Sequence, residues 1–289
     1  MPILGAFDTS TSVTSTSVTS TSSDGIVTAV TDPVNAGVLL RVQSPSGSSA
    51  MVWRVDVYSG ERVLVRSAAP MRIIGGEGHA YDHEASPGRL YAYTAVIAGA
   101  ESAPASVSMS WATDCTAWLK CAAVPSLSRT VSLLNPWQES WESRDSLTTV
   151  PWSAFPFVTE GGISGLSGSA TIKTSGRPEH EALTRLLQCG KPLLLQASDA
   201  HGLHERWLRV RGASPDRMGV GWDRREVKVS WVEVDRPDPA GYPMRMPHWG
   251  WTEATAGHAD MAAVEAAYPS MWAMMLAGVG AGPSPSIGP

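Results

Sequence analysis

The sequence predicts a mainly β protein with two β-rich regions and a short helical segment at its C-terminus. From Val38 onward, short runs of alternating apolar and polar residues recur about every 8–20 residues, separated by Gly, Pro and Ser. One amphipathic helix interrupts the second set of runs, and an Ala-rich stretch follows the last one. The length of 289 residues suits two domains with additional terminal segments.

Residues 1–33 are predicted to be a Ser/Thr-rich N-terminal arm. Residues 9–23 read TSTSVTSTSVTSTSS, in which 13 of 15 positions are Ser or Thr. This composition cannot form a core of its own, so we expect the arm to be ordered only where it adds a β-strand to a neighbour. A linker or an expression artefact is the alternative interpretation.

Residues 34–112 are predicted to form an antiparallel β-sandwich. Val38, Leu40 and Val42 share one face of a strand. In the next strand Arg54 and Asp56 lie on one face, and the apolar face opposite them comprises Met51, Trp53, Val55 and Val57. Further strands are predicted near Val63 and Val65 and over Met71–Ile74, Leu90–Ile97 and Ser106–Trp111.

The stretch SPGRLYAYTAVIAGAESAP at residues 86–104 resembles the last hairpin of a fibronectin type III module. It contains a Pro-Gly turn, a Tyr-x-Tyr pair, alternating apolar residues and a Gly-Ala-Glu-Ser turn. The resemblance implies that Tyr91 is the corner tyrosine, whose hydroxyl holds the preceding loop. It also places Trp53 in the region of that family's core tryptophan.

Residues 113–238 are predicted to form a second β-rich domain, with residues 113–125 as the join. One helix is predicted near residues 178–189: Pro178 suits its first position, and Ser175 or Gly176 can cap it. Its apolar stripe, formed by Leu183, Leu186 and Leu187, is expected to pack on a sheet or barrel, and Cys189-Gly190 ends it. The strands are predicted at Arg129–Leu134, Ala170–Thr174, Pro192–Ala197, Arg206–Arg211 and Glu226–Val234.

Residues 239–289 are predicted to be a Pro-rich and helical C-terminal segment. The Ala-rich residues 254–268 are expected to form a helix that stops at Pro269, and Ser270–Leu276 can add one more turn. Residues 278–289 have the composition of a flexible tail.

Charge and hydropathy argue against two classes of partner. The chain has 22 Lys and Arg against 27 Asp and Glu, a net charge of −5, which does not favour nucleic acid or a membrane surface. No apolar run reaches the ~18 residues of a membrane helix, and the N-terminus lacks a secretory signal pattern. We therefore expect a protein that is made and kept in a cytoplasm, or that leaves it without such a signal.

The residue composition favours contacts with other proteins. The chain has 12 Trp against 3 Phe, and only 17% of its residues are charged. Trp137, Trp141 and Trp152 are expected to pack in a core or domain junction, with a sugar-stacking platform and a protein interface as alternatives. Of the three Cys, Cys115 and Cys121 either pair with each other or are buried as thiols, and a reducing compartment favours the second.

No catalytic, cofactor or metal site is predicted, and we expect the protein not to be an enzyme. His79, His83 and Glu84 have a metal-like spacing but lie in a stretch predicted to be a Gly-rich loop. The glycine-rich residues 161–168 lack the spacing of a dinucleotide or phosphate loop, so they are predicted to form a turn. The cluster DAHGLHE is predicted to be a polar hairpin turn, with a metal or acid–base role as the alternative; its polar members are Asp199, His201, His204 and Glu205.

Several segments, taken in order, resemble the minor tail proteins of tailed bacteriophages that infect actinobacteria, in particular distal-tail-like proteins. These are the Trp118-Leu119-Lys120 join, the segment EALTRLLQCGKPLLLQ at 181–196, the closing strand EVKVSWVEVDRP at 226–237, and the Trp- and Ala-rich end from Trp251 to Gly278. The Ser/Thr repeat and the three Cys are not part of this resemblance.

The resemblance implies a split β-barrel with a helix and a structural role in the virion. Such proteins form a ring, usually a homohexamer, at the tail tip, between the tail tube and the hub and fibre proteins. The partners implied are further copies of the chain, the tube protein and hub proteins, and assembly takes place in the host cytoplasm. A carbohydrate-binding adhesin that recognises a host-surface glycan is the alternative.

Overall fold

The computed structural model describes residues 17–45, 47–111, 117–141, 146–149, 152, 157–159, 165–198, 201–217, 224–238, 246–247 and 249–281. The chain is mainly β, with antiparallel sheets and few helices. A sandwich comes first, a six-stranded closed barrel with one packed helix follows it, and short helices end the described chain. The predicted fold class is thus confirmed.

The sandwich consists of two antiparallel sheets. The first sheet has the order β1–β2–β3–β7, with strands β1 (Thr19–Thr21), β2 (Val27–Asp32), β3 (Gly37–Gln43) and β7 (Glu77–Asp82). The second has the order β10–β8–β4–β5, with β4 (Ser49–Asp56), β5 (Arg62–Leu64), β8 (Leu90–Ile97) and β10 (Ala105–Ser108). Two short strands flank it: β6 (Met71–Arg72) pairs with β4, and β9 (Ala100–Glu101) pairs with β8.

The inward faces of both sheets form one apolar core. Val38, Leu40 and Val42 are completely buried in it, as their shared face predicted. Strand β4 differs from the prediction, because its buried face carries Arg54 and Asp56, whereas Met51 is 40% exposed and Trp53 is half-buried. The physical reason is that the polar face of β4 has buried ion partners. Trp53 instead lies on the outer face under the Arg62 guanidinium, 4.7 Å from its ring centre, so its expected place in the core is wrong.

Strands β1, β2, β7 and β11 (Ala117–Lys120) are among those that lie where no strand was predicted. Residues 19–21 pair with β2, so the expected N-terminal arm up to residue 33 is wrong for this part: β1 and β2 belong to the sandwich's own first sheet. Residues 1–16, with most of the Ser/Thr repeat, lie outside the described residues. The stretch expected to be a Gly-rich loop forms β7, and the join contains β11. Strands β7 and β11 have partners that are distant in sequence, β3 and the strand Leu193–Ala197 respectively.

The barrel closes because β11 pairs with both the second and the last strand of its circuit. Its order is β11–β12–β15–β18–β17–β16, and β16 returns to β11. Its other strands are β12 (Arg129–Ser140), β15 (Ser167–Ser175), β16 (Leu193–Ala197), β17 (Arg206–Arg217) and β18 (Arg224–Glu233). A separate two-stranded hairpin, β13 (Ser146–Thr148) and β14 (Phe157–Thr159), extends from the connection between β12 and β15.

Helix α1 (Arg177–Gln188) lies between β15 and β16 and agrees with the prediction. Gly176 occupies the N-cap position, and the leucine stripe of the helix packs into the barrel core. The helix is followed by Cys189, as expected. Gly168 on β15 is required by packing, because a Cβ there would lie 2.6 Å from the Trp231 ring.

The C-terminal segment covers the outer face of the first sheet. It forms α2 (Trp251–Thr255), α3 (Met261–Ala267) and α4 (Met271–Ala277), and α4 buries Trp272 and Met275 against Leu39 and Tyr81 of the sheet. The single helix predicted over residues 254–268 is broken, because the Asp260 carboxylate caps a new helix by accepting from the Ala263 backbone N–H.

The start of the expected tail is bound to the sandwich: Gly280 N–H donates to Asp32, and Ala281 O accepts from Asn35. Residues 282–289 lie outside the described residues. In the part of the chain that the structure describes, no helix is long and apolar enough to cross a membrane.

We predict that Tyr91→Phe destabilises the sandwich by about 0.5–1.5 kcal/mol. The buried Tyr91 hydroxyl accepts a hydrogen bond of 3.3 Å from the Ser86 backbone N–H, as the fibronectin resemblance implied, and Phe leaves that donor unpaired. Urea denaturation followed by circular dichroism measures the change. Tyr58→Phe is the matched control, because Tyr58 is 81% exposed. Equal midpoints for both variants would contradict a role of the hydroxyl.

Candidate functional site: the junction between the two β domains

The junction between sandwich and barrel contains a completely buried lysine. Lys120 ends β11, a strand whose four residues are all buried. Its ammonium donates to the carbonyl oxygens of Ala36, at 2.5 Å, and Ala85, at 2.8 Å, both in the sandwich. Burial lowers the pKa of Lys120 to about 7, although Glu205 and other carboxylates oppose the shift. A barrel side chain thus joins two separate loops of the sandwich.

A buried carboxylate makes the second connection. Glu84, in the sandwich, accepts from Arg66 Nε at 2.6 Å and from Arg236 Nε at 2.9 Å. Arg236 follows the last barrel strand and also donates to the Leu64 carbonyl oxygen. In addition, the Glu84 carbonyl oxygen accepts from Gln196 Nε2 of the barrel, at 2.8 Å. Three side chains from both domains therefore donate to one residue.

A third buried group fixes the sandwich side of the junction. Arg54 Nη1 donates to both carboxylate oxygens of Asp82, at 3.0 and 2.9 Å. The Tyr93 hydroxyl donates to the same carboxylate at 2.9 Å, and burial raises the pKa of Tyr93 well above its usual value. Removal of one partner from such a pair typically costs about 3–5 kcal/mol, because the other charge stays buried without compensation.

A cavity of about 310 Å³ lies within this junction. Its charged lining is balanced, with four arginines and four carboxylates: Arg54, Arg89, Arg206, Arg236, Asp56, Glu61, Glu84 and Glu205. Glu205 is accessible to solvent in the cavity although protein surrounds it, and Gln196 Nε2 donates to it at 3.2 Å. Each arginine of the lining already binds an acidic side chain. This arrangement suits orientation of the two domains more than chemistry on a substrate.

A second concave surface lies on the barrel, near the ends of β12, β15 and β18. This groove of about 670 Å³ has two indoles, Trp137 and Trp231, whose ring centres are 5.1 Å apart. Trp231 is 2% exposed, and its buried Nε1 has no hydrogen-bond partner among the described residues. Polar side chains line the rest, among them Gln138, Ser140, Ser167, Ser169, Arg211 and Ser230.

The tryptophans that were considered together have different environments. Trp137 packs on the barrel core, as the packing interpretation expected, and its Nε1 donates to Glu139 at 2.8 Å. Trp141 and Trp152 are 68% and 103% exposed, so core packing is wrong for them.

The histidines that suggested a metal are not brought together. His79 lies on β7, not in a loop, and its ring stacks on Trp272 with centres 5.8 Å apart. His83 Nε2 shares a hydrogen bond of 2.9 Å with Ser128 Oγ at the domain junction. Among the described residues, no group of three His, Cys, Asp or Glu side chains could hold a metal ion.

The DAHGLHE cluster lies where a hairpin turn was predicted, in the connection between the antiparallel strands β16 and β17. His204 and Glu205 line the junction cavity, and the His201 backbone N–H donates to the Ser198 carbonyl oxygen. Asp199 lies outside the described residues.

The remaining expectations concern cysteines and a glycine-rich stretch. Cys115 lies outside the described residues, so its pairing with Cys121 stays a prediction. Cys121 is a buried free thiol next to Cys189. Of residues 161–168, the first four lie outside the described residues, and Ser167 and Gly168 belong to β15 rather than to a turn.

The sequence named Lys120 in the join and Glu84 for its metal-like spacing, but it did not predict that they meet at a domain junction. Arg54 lies in a strand-like run, where the alternating pattern assigned it to solvent, and Asp82 lies in the stretch that was predicted to be a Gly-rich loop. The available signal was weak: Lys120 ends the otherwise apolar run Ala117–Lys120, which has the length of a buried strand.

We predict that the unfolding free energy of the wild type rises by about 2 kcal/mol between pH 7 and 9, and that Lys120→Met abolishes this rise. The folded-state pKa is about 7 and the ordinary value is 10.5, so between them the unfolded chain binds more protons than the folded chain. Unfolding free energy must therefore rise with pH in this window, and the burial penalty is fully present below pH 7. Urea denaturation at several pH values measures the slope.

Lys228→Met is the control for this prediction, because the Lys228 side chain is 63% exposed on the barrel. It should keep the wild-type slope. A Lys120→Met variant with the same slope as the wild type would show that Lys120 does not titrate in this window.

No protein-family model matches this chain, and a search of curated proteins finds no match. The functional argument therefore depends on the fold and on the junction.

Proposed function

We propose that this protein is a structural component of the tail tip of a tailed bacteriophage, where it forms a ring or adaptor between the tail tube and the hub and fibre proteins. The observation that carries the proposal is the arrangement of the barrel. A closed six-stranded barrel has one helix between two of its strands, and buried ionic contacts join it to a sandwich. This order matches the one that the resemblance to distal-tail-like proteins implied.

The junction supports a mechanical role. An adaptor must transmit orientation from the tube to the tip, so its two domains cannot rotate freely. Lys120, Glu84 and Arg236 restrict that rotation, because each contact across the junction is directional and buried. Each arginine of the cavity lining is held by an acidic side chain, and this favours a structural role for the arginines.

Exposed aromatic side chains supply candidate contacts with neighbouring subunits. Trp141 and Trp152 are the most exposed tryptophans of the described chain, and both lie in the connection that extends from the barrel between β12 and β15. Burial of an exposed indole by a partner stabilises the complex, and tryptophan is enriched where protein interfaces have their strongest contacts. In the proposed ring, this connection lies against the next copy of the chain.

We predict that the purified protein forms a hexamer, which light scattering after size exclusion and electron microscopy of the peak would detect as a ring with a central opening. The double variant Trp141→Ser, Trp152→Ser should shift the mass towards the monomer without changing the thermal midpoint. Trp251→Ser is the matched control, because Trp251 is 53% exposed but lies on the C-terminal segment. A wild-type monomer at high concentration would contradict the ring.

The barrel groove favours a second candidate function, carbohydrate binding at the host surface. Trp137 offers an aromatic ring next to serine, glutamine and arginine side chains. Envelope polysaccharide from an actinobacterium should then quench tryptophan fluorescence. Trp137→Ala should abolish the quenching, and Trp53→Ala, on the sandwich, should retain it. Absence of quenching in the wild type would contradict this candidate.

A further inference from the structure

Two thiols face each other in the barrel, where strand β11 and helix α1 both end. The Sγ atoms of Cys121 and Cys189 are 3.8 Å apart, and both cysteines are free. Cys121 is completely buried in the barrel core, whereas Cys189 is partly exposed at the end of the helix. A small oxidant can therefore reach one sulfur, and the other lies directly behind it.

We propose that Cys121 and Cys189 are an oxidisable pair that forms an intramolecular disulfide and fastens helix α1 to strand β11. This modification site is independent of the proposed tail-tip role, since it rests only on the geometry of the two thiols. This bond differs from both alternatives considered from the sequence, which were a Cys115–Cys121 pair and buried thiols.

The backbone is more tightly held at Cys121 than at Cys189. Cys121 is fixed, because its backbone N–H donates to Ser128 Oγ at 2.9 Å and its carbonyl oxygen accepts from Val124. Cys189 is the C-cap of the helix and precedes Gly190, which has a φ of 65° and open space around it. A disulfide has a bonded length of about 2.05 Å. The required approach can therefore come from the end of the helix without disruption of the barrel strands.

The reaction needs a small-molecule disulfide as oxidant, for example oxidised glutathione. The Cys189 thiolate attacks one sulfur of the oxidant, its S–S bond breaks, and the first glutathione leaves as a thiolate that takes up a proton. Cys121 then loses its proton to solvent and attacks the Cys189 sulfur of the mixed disulfide, which releases the second glutathione. The two protein thiols are oxidised, and one oxidised glutathione is reduced to two glutathione molecules.

The second step is expected to be slow at neutral pH. Burial raises the pKa of the Cys121 thiol, so little thiolate is present at pH 7. Ring closure should accelerate about tenfold per pH unit below that pKa, because only the thiolate attacks. A mixed disulfide on Cys189 should therefore accumulate at pH 7 and disappear at pH 9.

The test is incubation of the full chain with oxidised glutathione at pH 7 and pH 9, followed by proteolysis without reductant and mass spectrometry. We expect a peptide pair bridged between Cys121 and Cys189, and intact protein that has lost two hydrogen atoms. The thermal midpoint should rise by about 5–15 °C, because the bond closes a long loop in the unfolded chain. Reductant should reverse the rise.

Two variants separate this pair from its competitor. Cys115→Ser should retain the bridged peptide and the rise in midpoint, and Cys189→Ser should lose both. Peptide mapping of the wild type does not depend on the folding of any variant. A bridge to Cys115, or a glutathione adduct on Cys189 that never closes at pH 9, would overturn the proposal.

Discussion

Burial of charge between the two β domains is the constraint on which the rest of the structure depends. Lys120 and Glu84 lose their water together, and each recovers its hydrogen bonds across the junction only if sandwich and barrel lie in one particular orientation. An apolar interface would tolerate sliding, but a directional buried pair does not. The relative orientation of the two domains is therefore determined by polar contacts, while each domain is stabilised by its own apolar core.

The sequence predicted those elements whose local pattern agrees with their final environment. In α1, β3 and β8 the buried face can be read from the apolar pattern of the element's own residues. Tyr91 was placed correctly because a whole hairpin motif surrounds it. Prediction failed where a distant partner decides the outcome, as in β7, which becomes a strand only because β3 provides its hydrogen bonds.

The same reason explains why the junction was invisible in the sequence. In β4, alternation assigned the face with Arg54 and Asp56 to solvent, but Asp82 and Arg89 supply their ion partners from elsewhere in the chain. The C-terminal segment is a related case. The partner of its Trp272 is the sandwich's own outer face, with Arg41 and His79, and only the structure shows this. Trp231 and Trp272 are thus buried within the chain, whereas Trp141, Trp152 and Trp251 are exposed.

The central claim is that sandwich and barrel behave as one mechanical unit because of the buried junction. Differential scanning calorimetry of the full chain tests it most directly, since coupled domains unfold together and independent domains unfold separately. We expect one transition in which the calorimetric and van't Hoff enthalpies agree, and two transitions when Glu84→Gln weakens the contacts with Arg66 and Arg236. Two separate transitions in the wild-type protein would contradict the claim.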